Sequence, residues 1–137
     1  MAPSEFVRLE IPSSPKYLSL IRNLIDLIPT NQISLTEEQK DDIKLAIGEA
    51  CSNAIKFSRS PNSPITIAFE IHPNQIEIEV RNESADFQPE TLKIEPPPIE
   101  KIHEGGLGLY LIKQVMDNLK ICCSNGITTV RMAKKLT

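Results

Sequence analysis

Between Ile65 and Val80 the chain alternates apolar and polar residues almost without a break. Ile65, Ile67, Phe69 and Ile71 share one side of a first run, and Ile76, Ile78 and Val80 share one side of a second. Only His72-Pro73-Asn74-Gln75 lies between them, so the two runs predict a tight β-hairpin. Thr66, Glu70, Glu77, Glu79 and Arg81 take the outward positions. A sheet with one wet face and one apolar face has to be covered on the apolar side, and helices are the cover this chain can supply. The predicted class is therefore α+β: a two-layer α/β sandwich whose antiparallel-rich mixed sheet carries helices on one face. His72, placed in the turn, reads as a solvated residue rather than a ligand.

The covering helices are legible on both sides of the hairpin. Ser14 and Pro15 fit a helix start, and Leu18, Ile21, Leu24, Ile25 and Ile28 form an apolar stripe that Pro29 stops. Thr36 and Gln39 fit a capping box, so a second helix is expected from about Glu37, with Ile43, Ala46, Ile47, Ala50, Ala54 and Phe57 on its apolar side. A third stripe runs through Leu109, Ile112, Val115, Met116 and Leu119. Phe6 to Ile11 alternates as a strand should, until Pro12. Lys120–Ser124 and Thr128–Lys134 read as a closing hairpin that turns at Asn125-Gly126. At 137 residues these elements make one domain, 1–137.

Charge and cysteine usage narrow the function classes. The formal net charge is −3 and no block of Lys or Arg occurs, which argues against direct nucleic-acid binding. No apolar run is long enough to cross a bilayer, and the first residues lack the basic and apolar regions of a signal peptide. A cytoplasmic protein with no membrane contact is expected. Cys51, Cys122 and Cys123 have neither metal-ligand spacing nor a disulfide framework, and reduced thiols are expected at each.

Two stretches carry chemistry. In Glu104-Gly105-Gly106-Leu107-Gly108-Leu109-Tyr110-Leu111-Ile112 the glycines are followed at once by an apolar helix pattern. Glycines permit close backbone approach, and a helix start offers unpaired N–H groups, so phosphate can be held there. The same residues are equally readable as a loop that merely starts a helix. On the second helix Glu49 and Asn53 stand on one face at the border of the apolar stripe. They read either as a half-buried hydrogen-bonded pair or as a functional carboxylate and carboxamide. Lys56 follows on nearly the same side, as a helper or as a solvated charge. Asn82 to Glu104 has no clear period and holds Pro89, Pro96, Pro97 and Pro98, a lid-like segment leading into the glycines.

This order of motifs resembles the GHKL ATP-binding fold shared by histidine kinases and gyrase-type ATPases. It is more closely similar to the single-domain anti-sigma factor serine/threonine kinases of bacterial partner-switching systems. Glu49-Ala50-Cys51-Ser52-Asn53-Ala54-Ile55-Lys56 matches that family's N box, and Gly105-Gly106-Leu107-Gly108-Leu109-Tyr110-Leu111-Ile112 its second glycine box. The resemblance implies ATP and Mg²⁺ as cofactors, with an ATP lid at about 82–105. It implies Glu49 as general base and Asn53 as the Mg²⁺ ligand, with Lys56 assisting electrostatically. Gly105, Gly106, Leu107, Gly108 and Leu109 would line the phosphates, and Asn82 and Thr128 the adenine. It also implies a homodimer formed through the first strand and helix. The implied partners are a STAS-domain antagonist, whose serine or threonine is phosphorylated, and a sigma factor or other regulator.

One box departs from the pattern. Where the family shows Asp-x-Gly-x-Gly-Phe, this chain has Asn82-Glu83-Ser84-Ala85-Asp86-Phe87. Asn82 keeps a carbonyl oxygen but loses the charge, and Ser84 and Asp86 replace both glycines. That leaves a second reading open: a non-catalytic partner-binding module on the same fold, with lost or weak ATP binding.

Overall fold

The computed structural model describes residues 5–27, 35–84 and 106–136. Its elements run β1 (Glu5–Pro12), α1 (Leu18–Leu27), α2 (Glu37–Lys56), β2 (Pro64–His72), β3 (Gln75–Glu83), α3 (Gly106–Val115), β4 (Asn118–Ser124) and β5 (Ile127–Lys135), with a short 3-10 turn at Pro15–Tyr17. The strands form one sheet in the order β1-β2-β3-β5-β4. Every pairing among the described residues is antiparallel, so the sheet is not mixed.

The central hairpin forms as its alternation dictates. Ile65, Ile67, Phe69, Ile71, Ile76, Ile78 and Val80 are all buried, and Pro73-Asn74 alone connects the strands, with His72 facing Gln75. Each such side chain contributes on the order of 1.5–3 kcal/mol by leaving water. Ile21 and Ile25 of α1, Ile43 and Ile47 of α2, and Leu109 and Ile112 of α3 complete the same core from the other layer. In β1 the burial rises along the strand: Phe6 and Val7 are exposed, Leu9 is half-buried and Ile11 is buried. The His72 imidazole is not simply solvated; it lies half-buried between Glu70 and Glu77, at 3.5 and 3.4 Å.

Local chemistry sets the helix ends. Gln39 N–H donates to the Thr36 hydroxyl and Thr36 N–H to the Gln39 side chain, a complete capping box that starts α2. Ser14 precedes the 3-10 turn, but its side chain caps nothing; its carbonyl accepts from Tyr17 N–H instead. Ile28 and Pro29, expected to end α1, lie outside the described residues. The stripe predicted for the third helix overruns its end: α3 stops at Val115, and Leu119 belongs to β4, opposite Met132. Apolar spacing continued across a boundary set by Lys134, whose ammonium donates to Val115 O at 2.6 Å and to Asp42 at 3.0 Å. A cation on the last carbonyls is a favourable helix end, and this one also moors α3 to α2. At the closing turn Asn125 and Gly126 both have positive φ, 55° and 77°, as a two-residue hairpin of this type requires. No helix among the described residues is long and apolar enough to cross a membrane.

Candidate functional site

Glu49 and Asn53, one turn apart on α2, are both half-buried beneath the start of α3. The fit there is close. A Cβ placed on Gly108 would lie 2.8 Å from Glu49 Oε2 and 3.5 Å from Asn53 Nδ2. Only a residue without a side chain lets the carboxylate rest against that turn of backbone. The first turn of α3 begins at Gly106, and its N–H groups have no acceptors within the helix. A carboxylate, a carboxamide and the first turn of a helix, whose N–H groups find no acceptor inside that helix, therefore meet at one place. Donors of that kind hold phosphate, and the acid beside them can take a proton.

Next to this spot lies a narrow cleft of about 10 Å³, room for about one water molecule, so a larger group enters only as its walls part. Asn53, Ala54 and Phe57 wall it from α2, Leu109 from α3, and Val80 and Val130 from the sheet. Its polar floor is Asn82, Ser84 and Thr128, only 5, 3 and 4% exposed. Asn82 and Thr128 are opposite each other in the β3–β5 ladder, and Ser84 follows two residues on. The Asn82 amide nitrogen donates to Ala54 O and to Glu83 O, each at 3.2 Å. Both its protons are thus engaged, and its carbonyl oxygen is the group left for a ligand. The Ser84 and Thr128 hydroxyls lie 2.5 Å apart. The lining has the chemistry for a flat, nitrogen-bearing ring, with an acceptor and two hydroxyls beneath apolar walls, once those walls separate.

The sequence-predicted residues divide accordingly. Glu49, Asn53 and Gly108 meet directly, while Asn53, Asn82, Leu109 and Thr128 share the adjoining cleft. Gly106 opens α3 and Leu107 follows it. Lys56 is exposed, its ammonium 5.4 Å from the centre of the Phe57 ring, which is part of the cleft wall. Gly105 and Asp86 lie outside the described residues, as does most of the predicted lid. That lid cannot start at Asn82, because β3 continues through Glu83 and Ser84 bridges to Ser58. Ser84 also holds no positive φ, so the loss of a glycine there leaves the backbone unstrained. Sequence reasoning missed Ser84 as a lining residue, along with Phe57, which it read only as the end of an apolar stripe. Below the site Cys51 is sealed in the core, and burial pushes its thiol up to about 12 against the opposing pull of Arg22. Such a thiol is inert as a nucleophile.

Comparison with known proteins bears on the family and the fold. A family model described as a histidine kinase-like ATPase domain matches residues 11–134. The serine-protein kinase RsbW of Bacillus subtilis (strain 168) is 28% identical over 141 residues, spanning 97% of this chain and 87% of its own. RsbW of Staphylococcus aureus (strain JH9) is 32% identical over 133 residues, with 90% and 83% covered. Among solved structures, the RsbU and RsbW domains of a Mycobacterium tuberculosis protein share the fold at a TM-score of 0.70 and 16% identity, over 98% of this chain and 33% of that one. The catalytic domain of histidine kinase ThkA does so at 0.61 and 16%, over 97% and 98%.

Proposed function

The chain belongs to the histidine kinase-like ATPase domain family, and from that premise we propose that it is an anti-sigma-factor-type serine/threonine protein kinase of a partner-switching system. The observation that carries the reading is the seat of the Glu49 carboxylate against Gly108, at the open end of α3. ATP is the donor, its base in the cleft floored by Asn82 and Thr128 and its phosphates at the N–H groups of Gly106, Leu107 and Gly108. Glu49 takes the proton from the attacking hydroxyl, so that the oxygen reaches phosphorus as a nucleophile. Little else is asked of the protein in phosphoryl transfer beyond alignment and charge neutralisation.

Asn53 carries a carboxamide and Glu49 a carboxylate one turn apart, and their oxygens are the hard donors that Mg²⁺ prefers. The Asn53 carbonyl oxygen would hold the ion, which supplies charge neutralisation on the phosphates when bound. The acceptor is a serine or threonine on a STAS-domain antagonist, and a phosphate added there repels the partner from its interface. The other partner is a sigma factor or another regulator. A homodimer through β1 and α1 fits their exposed apolar residues, Phe6, Val7, Leu20 and Leu27. The whole chain, 1–137, acts as one domain.

The second reading, a partner-binding module without chemistry, is favoured by the neutral Asn82 and by Ser84 in the base cleft. Incubation with Mg-ATP and a STAS-domain protein, read by intact mass, separates the two. A gain of one phosphate on the STAS protein, abolished by Glu49→Gln with nucleotide binding retained, is the expected result. Equal transfer by Glu49→Gln refutes the role of that carboxylate, and no transfer or nucleotide binding by the unaltered chain leaves the module reading standing.

A further inference from the structure

At position 84 the family pattern has a glycine, and a side chain there would be expected only to obstruct the base. The local geometry points elsewhere. Ser84 N–H donates to Gly126 O at 2.9 Å and the residue bridges to Ser58, so its backbone is fixed from both sides. Its side chain lines the cleft together with Asn82 and Thr128, and its hydroxyl pairs with that of Thr128. We propose that Ser84 is a specificity-determining residue for the nucleotide, its hydroxyl donating to a ring nitrogen of adenine while the Asn82 carbonyl accepts from the exocyclic amine. This rests on the nucleotide reading above.

The proton inventory of the floor makes the case. Each hydroxyl carries one proton and can accept through its lone pairs. In one arrangement Ser84 donates to Thr128, and Thr128 donates to Cys123 Sγ at 3.7 Å. No proton then faces the cleft. In the other, Thr128 donates to Ser84, and the Ser84 proton is free to turn inward. The second sacrifices only a long contact to sulfur, a weak acceptor, so an incoming ring nitrogen selects it by rotating two hydroxyls. Asn82 cannot rotate in the same way. Turning its amide over would set the carbonyl oxygen against Ala54 O and Glu83 O, so it stays an acceptor. The floor therefore presents acceptor and donor side by side. That order complements the amino group and adjacent unprotonated nitrogen of adenine. It opposes guanine, whose oxygen and N–H stand in the reverse order, and a buried mismatch of this kind is discriminated strongly.

The test is calorimetric titration of the full chain with Mg-ATP, Mg-GTP and the Mg complex of 1-deaza-ATP, which lacks the ring nitrogen. ATP should bind saturably, 1-deaza-ATP about tenfold more weakly, and GTP at least about a hundredfold more weakly. Ser84→Ala and Ser84→Gly should each lose about tenfold for ATP and nothing for 1-deaza-ATP, with their unfolding temperatures recorded alongside. The 1-deaza-ATP comparison on the unaltered chain needs no variant to fold. Equal affinity for ATP and 1-deaza-ATP overturns the proposal, as does tighter ATP binding by Ser84→Gly, which would mark the serine as an obstruction. If the unaltered chain binds no ATP at millimolar concentration, this inference and the nucleotide reading fall together; if ATP binds but the Ser84 variants match the unaltered chain, this inference alone falls.

Discussion

Replacing Gly108 with alanine is a one-atom probe of the site. The added Cβ would meet Glu49 Oε2 at 2.8 Å, while ordinary contact begins at 3.4 Å, so the carboxylate must withdraw by about 0.6 Å. The obstructing atom is the end of a flexible side chain, and the carboxylate can swing aside at little cost to the fold. Alanine is also the better helix former, by up to about 1 kcal/mol. The two effects nearly cancel, and the unfolding temperature should move by only a few degrees in either direction. Chemistry should respond very differently. A catalytic group misplaced by about 1 Å can cost about a hundredfold, so a displacement of this size should slow transfer on the order of tenfold or more. Gly48→Ala is the matched control. Its Cβ would meet Arg22 Nε at 2.6 Å, another side-chain end, but on the α1 side and away from the site. Single-turnover transfer from Mg-ATP to a STAS-domain protein, with thermal unfolding of each variant, reads both quantities. A Gly108→Ala protein that transfers at the unaltered rate would refute the argument that this glycine exists to seat Glu49.

The remaining expectations concern the frame of the site. Thr36→Ala removes half of the capping box and should destabilise the chain by about 1 kcal/mol, measured by urea unfolding. Asn82→Asp, which restores the family residue, places a carboxylate oxygen against Ala54 O and Glu83 O; a stability loss of about 1–3 kcal/mol is expected from the same measurement. Burial raises the Cys51 thiol from 9.0 to about 12, so the folded state holds its proton while the unfolded state releases it. The stability from that difference is full below pH 9 and is lost as the pH rises toward 12. Unfolding measurements across that window should show a steeper loss of stability in the native sequence than in Cys51→Ala.

Much of this architecture was readable from spacing alone. The isoleucines of β2 and β3, the Thr36 and Gln39 pair and the Asn125-Gly126 turn are local signals, and each formed as its chemistry requires. Leu119 misled because helical spacing carries no marker for the residue that ends a helix; Lys134, distant in sequence, supplies it. The apposition of Glu49 with Gly108 was implied by resemblance and not by periodicity, since it depends on how α3 packs across α2. Ser84 read as damage because its partner, Thr128, is 44 residues away and no local pattern announces a hydroxyl pair. The antiparallel sheet likewise could not be told from a mixed one until its strand order was known.

The mooring of α3 has a consequence for how the protein fails. Leu109, Ile112 and Met116 join this helix to the rest, and Lys134 ties down its far end. The β2–β3 ladder and the capping box of α2 are closed by hydrogen bonds of their own, none of them to α3. Partial detachment of α3 would therefore part the acid from its glycine while most of the sheet's amide protons remained shielded from exchange. Warming or mild denaturant should silence such a molecule well before it melts.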